Sequence, residues 1–389
     1  MKIAGIIAEY NPFHNGHAHH IRETRRLSGC DFVIVCMAGS FTQRGEAACL
    51  DKWSRARAAL LCGADAVFEL PAAWAVRSAD TFARGGVAIL SGLGCDILSF
   101  GSETANMALI ERLADLSNAE PAEVSESIRA GLNAGKSHAR ARGEALAAYL
   151  GVDPELLNAP NLILAAEYVR AIREAHSRML PLAVLRTGGY HDDKLHEFAS
   201  ASAIRAALAR GETDAALDCV PEATREILRR APRMHAPDDL LLHILRNMTA
   251  DQLAALPDAN EGLENRLALC ARTAGTRAEL IEQLKCKRYT RARLSRLCAH
   301  ALLGITEEFL HAHPLPGYAR LLGMREDARP LLSELKARAK LPIVSDPTKL
   351  RGDPVFQLEI RATELRALCC DDPAGRGAGQ EFTQKFVRI

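Results

Sequence analysis

Short apolar runs alternate with stretches of helical period along the first half of the chain. KIAGIIA (2–8), DFVIVCM (31–37), AVFEL (66–70), DILSF (96–100) and LAVLR (182–186) predict strands. Between them, KWSRARAALLCG (52–63) and TFARGGVAILSG (81–92) carry apolar residues at helical spacing, and each ends on a glycine suited to a helix C-cap. Residues 105–178 read mostly as helix, so a helical insertion precedes the fifth strand. This alternation predicts an α/β fold with a parallel sheet covered on both faces. Ligands of such sheets bind where the carboxyl ends of strands meet the amino ends of helices.

Beyond about residue 210 the period is almost wholly helical, as in ATREILRRA (223–231) and DDLLLHILRNM (238–248). The predicted division is therefore residues 1–215 and a mainly helical domain, 216–389. DDPAGRGAGQ (371–380) has the composition of a loop, and EFTQKFVRI (381–389) is read as a last strand.

The 389 residues suffice for roughly two domains, and 48% hydrophobic with 25% charged residues is an ordinary globular composition. Basic and acidic residues number 49 and 48, so no overall field attracts a polyanion, and any nucleic-acid surface must be a local patch. The first apolar run is too short for a signal peptide, and no run approaches the length of a membrane span, which predicts a cytoplasmic protein without membrane contact. The 11 cysteines are scattered, with no C-x-x-C pair. They read as small buried hydrophobes, and neither a disulfide nor a metal site is assigned.

The chemistry concentrates in GIIAEYNPFHNGHAHH (5–20), where a strand, a turn and a helix running to about Leu27 are predicted. His14-Asn15-Gly16-His17 straddles the helix amino end, where free N–H groups and the helix dipole favour phosphate. Two imidazoles add donors there, and Gly16 lets a ligand approach the backbone. Reaction at an α-phosphorus needs alignment and fixed donors for the growing charge, which makes His14 and His17 the candidate catalytic residues. His20 shares a face with His17, whereas His19 and His20 also fit a solvated role. A zinc site is disfavoured because no third ligand stands at recognisable spacing.

At these residues the chain resembles the H-x-G-H nucleotidyltransferases, whose second signature, a serine-rich turn ending in arginine, is matched by ASASAIR (199–205). Ser200 or Ser202 suits a helix N-cap, and Arg205 in the first turn is disfavoured by the dipole unless an anion is present. With GSFTQRGE (39–46), DKWSRA (51–56), GADAVFELP (63–71), FGSE (100–103), APNLILAAEY (159–168), RTGGYHD (186–192) and KRYTRARLSR (287–296), the resemblance extends to the tRNA(Met) cytidine acetate ligase family over nearly the whole chain.

That resemblance implies an ATP-dependent ligase with a Rossmann-like nucleotidyltransferase domain followed by a mainly helical domain that helps bind tRNA. Acetate is activated as acetyl-adenylate with release of diphosphate, and the acetyl group passes to N4 of the wobble cytidine of elongator tRNA(Met), leaving N4-acetylcytidine and AMP. Coenzyme A is not used, and magnesium is expected with ATP. The implied ATP-binding turn is Ile7, Ala8, Glu9, Tyr10, Asn11, Pro12, Phe13, His14, Asn15, Gly16, His17, Ala18, His19 and His20. Gly101, Asn161 and Arg186 are implied nucleotide contacts, with Ser202 and Arg205 on the β- and γ-phosphates. From the residues alone, Gly101 is equally a turn glycine and Asn161 equally an N-cap, while Arg186 ends a strand where open sheets bind ligands. Gln43 and Arg44 are candidates for the substrate side. Ser40 stands where the family usually has asparagine. Asp51 and Lys52 are further candidates, Asp51 being also a ready helix cap.

Lys285, Lys287, Arg288, Arg291, Arg293 and Arg296 surround Tyr289 with no acid among them, a candidate tRNA-binding patch in which the tyrosine stacks on a base. On an ideal helix the six do not share one face, so a solvated helix is the competing reading. GYARLLGMRED (317–327) is a second basic candidate. Two other functions remain open on sequence: a small-cofactor adenylyltransferase making a dinucleotide from ATP and a mononucleotide, and a tRNA-binding protein with a regulatory nucleotide site.

Overall fold

The computed structural model describes residues 1–118, 121–136, 138–186, 195–260, 262–286 and 288–389. Strands β1 (Ile3–Ala8), β2 (Phe32–Ala38), β3 (Ala66–Leu70), β4 (Ile97–Ser102) and β5 (Leu180–Leu185) are mutually parallel in the order β5-β4-β1-β2-β3. All five fall within two residues of the predicted runs. The chain leaves β1 toward β2 and β3, then returns to the other side of β1 as β4. The carboxyl ends of β1 and β4 therefore flank the point where strand order reverses, the usual ligand crevice of an open α/β sheet.

Helices α1 (Asn15–Ser28), α2 (Lys52–Leu61), α3 (Ala79–Gly92) and α4 (Pro160–Glu174) belong to this layer arrangement. α3 lies close on β1 because Gly86 has no side chain; a Cβ there would come 2.5 Å from Ile7 Cδ1. The predicted insertion is helical at Met107–Asn118, Ala122–Asn133, His138–Leu150 and Pro154–Leu157. α5 (Ala201–Arg210), α6 (Arg277–Leu284) and α7 (Arg291–Leu303) follow. α6 and α7 pack around Leu280, Leu284, Leu294 and Leu297.

The division at residue 215 does not hold for the sheet. After the helical stretch the chain returns as β6 (Ala319–Met324), antiparallel to β3, with β7 (Ile343–Val344) and β8 (Val387–Arg388) parallel to β6. GYARLLGMRED is thus a buried strand and not a basic surface: Ala319 to Gly323 are all buried. Its alanine, leucine and methionine carry little β-propensity, and pairing with β3 supplies what the sequence lacks. The expected terminal strand is real only at β8, since Gln380–Thr383 is helical.

A buried ionic cluster fastens this returning segment. Lys52 Nζ meets Glu69 Oε1, Glu381 Oε1 at 2.5 Å and Glu359 Oε2 at 4.0 Å, while Arg320 Nη1 meets Glu69 Oε2 at 2.9 Å and Glu381 Oε2 at 2.5 Å. The members come from α2, β3, β6, the helix α8 (Pro354–Leu368) and the short 380–383 helix. Lys52 is wholly buried and therefore structural, which removes it from the candidate site. Burial, followed by the charge of Glu69, raises the Glu359 carboxyl well above its ordinary range. Neutral Glu359 leaves two cations facing two carboxylates, a balanced set in a dry interior.

Candidate active site

β1 ends at Ala8, and the chain turns through Tyr10 in the left-handed region (φ 51°) before α1 begins. A bulky residue there costs about 1 kcal/mol or more, and such strain concentrates at functional turns. His14 is the N-cap of α1: its Nδ1 accepts Gly16 N–H at 3.1 Å, and His17 Nδ1 accepts His14 N–H at 3.2 Å. Histidine thus fills both positions of a capping box. Because each Nδ1 is an acceptor, each neutral ring carries its proton on Nε2. The rings stack with centroids 3.7 Å apart. Two Nε2–H donors are fixed side by side at the positive end of a helix.

A pocket of about 260 Å³ lies over the carboxyl ends of β1, β4 and β5. Of the expected residues, Ile7, Ala8, Glu9, Tyr10, Asn11, His14, Gly16, His17, His19, His20, Gly101, Asn161, Arg186 and Arg205 line it, as do Gln43 and Arg44. Asn161 is not a cap; Ala159 occupies that position, and Asn161 Nδ2 donates to Glu103 Oε1 at 2.7 Å. Gly101 lies inside β4, where a Cβ would come 3.3 Å from Arg186 Cγ. Arg205 Nη1 donates to Asn11 O at 2.7 Å, tying α5 to the histidine turn.

Five expected ligand residues do not line the pocket. Phe13 and Ala18 are core residues packed with Tyr10. Pro12 is buried beside them and lines no part of the pocket. Asn15 Nδ2 donates to Glu197 O at 2.9 Å, bracing α1. Ser202 is exposed and meets Ser200 Oγ at 2.9 Å; Ser200 is the N-cap, accepting Ala203 N–H. Among GSFTQRGE and DKWSRA, Ser40 is buried against Thr363, and Asp51 caps α2 through Ser54 N–H. Sequence reading missed the apolar wall, Phe82, Phe100, Leu164, Tyr168 and Phe198. Its only signal is that Leu164 and Tyr168 stand one turn apart in APNLILAAEY.

The imidazoles are held neutral. Burial, then the Arg186 charge, pushes His14 down to about 3 and His20 to about 4, and burial with His14 pushes His17 well below its usual range. His20 Nε2 lies 3.0 Å from Ser99 Oγ, which lies 2.7 Å from Thr24 Oγ1. Thr24 Oγ1 donates to His20 O, so the proton order runs from His20 Nε2–H to Ser99 to Thr24. His19 faces the Phe198 ring edge-on. Burial raises the Glu9 carboxyl; Glu9 Oε1 accepts Gln43 N–H at 2.6 Å. Arg55, wholly buried, donates to Glu9 O, Ala38 O, Gly39 O and Leu50 O, and fixes the 39–50 loop. Glu9 is the one carboxylate among the described lining residues, and the charges of Arg44, Arg55 and Arg205 favour its ionised form against burial.

The basic segment does not form one exposed patch. Tyr289 is 5% exposed with Arg293 over its ring, so it cannot stack on a base. Arg293 Nη2 turns to Asp258 O and Asn260, while Arg291 and Lys285 meet Glu282 at 2.5 and 3.7 Å. Arg288 is exposed in the turn before α7, and Lys287 lies outside the described residues, as do 187–192 of RTGGYHD. Arg291 and Arg296 line a cleft adjoining the pocket. All 11 cysteines are free thiols, and among the described residues no helix is long and apolar enough to cross a membrane.

A parallel sheet with an H-x-G-H helix terminus at its switch point defines a nucleotidyltransferase site, and the profile of the HIGH Nucleotidyl Transferase family matches residues 1–381. The tRNA(Met) cytidine acetate ligase of Acetivibrio thermocellus is 37% identical with full coverage of both chains; that of Syntrophotalea carbinolica is 39% identical over 100% of this chain and 99% of its own. The crystal structure of Thermotoga maritima TmcAL bound with alpha-thio ATP is similar with a TM-score of 0.89, 31% identity and full coverage of both chains. The chain belongs to the HIGH nucleotidyl transferases and, within them, to the tRNA(Met) cytidine acetate ligase family.

Proposed function

We propose that the pocket binds ATP and acetate, forms acetyl-adenylate, and transfers the acetyl group to N4 of the wobble cytidine of elongator tRNA(Met). The observation that carries this reading is the pair of neutral imidazoles of His14 and His17, set by the capping box at the amino end of α1 in a pocket that Arg186 and Arg205 also line. The ligase names of the relatives and the ATP analogue in the Thermotoga maritima structure agree with it.

An acetate oxygen attacks the α-phosphorus and the bond to the β-phosphate oxygen breaks, releasing diphosphate. His14 and His17 donate to the phosphoryl oxygens as their charge grows, and Arg186 and Arg205 hold the departing phosphates. The N4 amine then attacks the acetyl carbonyl, AMP leaves with the bonding electrons, and N4 loses one proton. Gly101 and Asn161 border the nucleoside end. Magnesium enters with ATP as part of the substrate, and coenzyme A has no role. Acetate-dependent exchange of labelled pyrophosphate into ATP tests the first step; its absence at saturating acetate contradicts the reading.

A further inference from the structure

The nucleotide pocket does not end at the 42–46 turn. Gln43, Arg44, Pro160 and Leu164 line both it and an outer cavity that opens toward α6, α7 and the amino end of α3. The outer space is the larger, about 590 Å³ against about 260 Å³. The shared border has one polar side, Gln43 and Arg44, and one apolar side, Pro160 and Leu164 on successive turns of α4. A planar base has that character: apolar faces and hydrogen-bonding edges.

The turn at this border is clamped from both sides. On the inner side Gln43 N–H is held by Glu9; on the outer side Ser295 Oγ donates to Arg44 O and Arg277 Nη2 donates to Gly45 O at 3.0 Å. Gly45 (φ 71°) lies so close to α7 that a Cβ would stand 2.6 Å from Ser295 O.

The outer wall carries Arg44, Arg277, Arg291 and Arg296 against Glu46 and Asp238. Arg277 is engaged by the turn and Arg291 by Glu282. Arg296 differs. Its buried Nε has no hydrogen-bond partner among the described residues, nor has the buried Nη1 of Arg77, whose charge opposes it. Asp80 and Asp258 temper that repulsion without bonding the Nε. A buried donor without an acceptor is unfavourable, and an entering phosphate oxygen satisfies it.

We infer that the outer cavity is the entrance for the reacting nucleotide of the RNA, with a backbone phosphate at Arg296 and the base passing between Gln43–Arg44 and Pro160–Leu164 to the adenylate. This rests on the acetyl-transfer reading above. A second basic cavity, lined by Arg325, Arg329, Lys336 and Arg388, shares no described lining residue with the nucleotide pocket.

The test uses the full chain with elongator tRNA(Met) carrying 4-thiouridine in place of the reacting cytidine, irradiated and mapped by peptide mass spectrometry. Adducts are expected on residues 42–46 or 160–164; adducts confined to any other residues, the Arg325–Arg329 groove included, overturn the route. Acetate-dependent exchange on the same preparation separates the two failures: no exchange discards the acetyl-transfer reading, while exchange with misplaced adducts discards the route alone. Arg296→Gln adds a readout that a structural role does not move, a salt slope of tRNA binding reduced by about one, with KM for tRNA raised about tenfold. An unchanged salt slope contradicts the phosphate contact.

Discussion

His14 gives its backbone N–H to His17 Nδ1 at 3.2 Å, and the two imidazoles stack 3.7 Å apart. One contact both caps a helix and fixes the tautomer of a proposed donor to the reacting phosphate. Structure and chemistry are thus joined at the same atoms, and they separate by choice of substitution. His14→Asn keeps a good N-cap but lacks Nε2–H. Its unfolding free energy is expected within about 0.5 kcal/mol of wild type, while adenylate formation falls about 10²- to 10³-fold. His14→Ala loses about 1 kcal/mol in addition. Urea unfolding and pyrophosphate exchange measure the two effects, and equal exchange rates in wild type and His14→Asn contradict the assignment.

The same histidine makes stability pH-dependent. Burial holds folded His14 at about 3, whereas the unfolded residue titrates near its ordinary 6.5. Between these values the unfolded chain binds the extra proton, so stability falls as pH falls below 6.5. Relative to His14→Asn, wild type is expected to lose about 1 kcal/mol of stability per pH unit between pH 6 and 4. Glu9 and Glu359 titrate in the opposite sense but are common to both proteins and cancel. A pH-independent difference in urea midpoints contradicts the neutral, buried imidazole.

The ionic cluster predicts unequal effects from similar substitutions. Glu359 is already held neutral, so Glu359→Gln, whose amide oxygen still accepts Ala72 N–H, is expected to change stability by less than about 1 kcal/mol. Lys52→Met leaves Glu69 and Glu381 sharing Arg320 in a dry interior, with an expected loss of about 3–5 kcal/mol. Denaturant unfolding reads both, and equal losses contradict the proton placement.

Gly45→Ala probes the clamp between the 42–46 turn and α7. The added methyl meets Ser295 O and Arg296 Cα in a left-handed backbone position, and a loss of about 1–3 kcal/mol is expected. Hydrogen exchange is expected to rise at the amides of 42–46 and at α7 before the rest of the sheet. Uniform exchange contradicts a local clamp.

The sequence reveals most where a segment's role is settled by its neighbours in the chain. β1 to β3 are buried along their length, so continuous apolar runs mark them, and the histidine turn follows directly. β6 was not legible because ARLLGM has a helical composition and becomes a strand only against β3, some 250 residues earlier in the chain. Lys52 looks like a site residue in DKWSRA; only the fold brings Glu69, Glu359 and Glu381 around it. The basic run at 285–296 does not form a uniform surface because Arg293 turns inward to Asp258 and Asn260 and Tyr289 is buried beneath it, an arrangement that spacing alone does not place. His14 as an N-cap was invisible for a different reason, since histidine is not among the usual capping residues.

Acetate activation and acetylation of a tRNA cytidine belong to one coupled reaction. The most direct measurement incubates the protein with ATP, isotope-labelled acetate and unmodified elongator tRNA(Met), without coenzyme A, and analyses the nucleosides by mass spectrometry. Labelled N4-acetylcytidine at the wobble position is the predicted result, lost in His14→Asn and in His17→Ala. Unlabelled cytidine alone, from protein that is folded and exchanges pyrophosphate into ATP, contradicts the account.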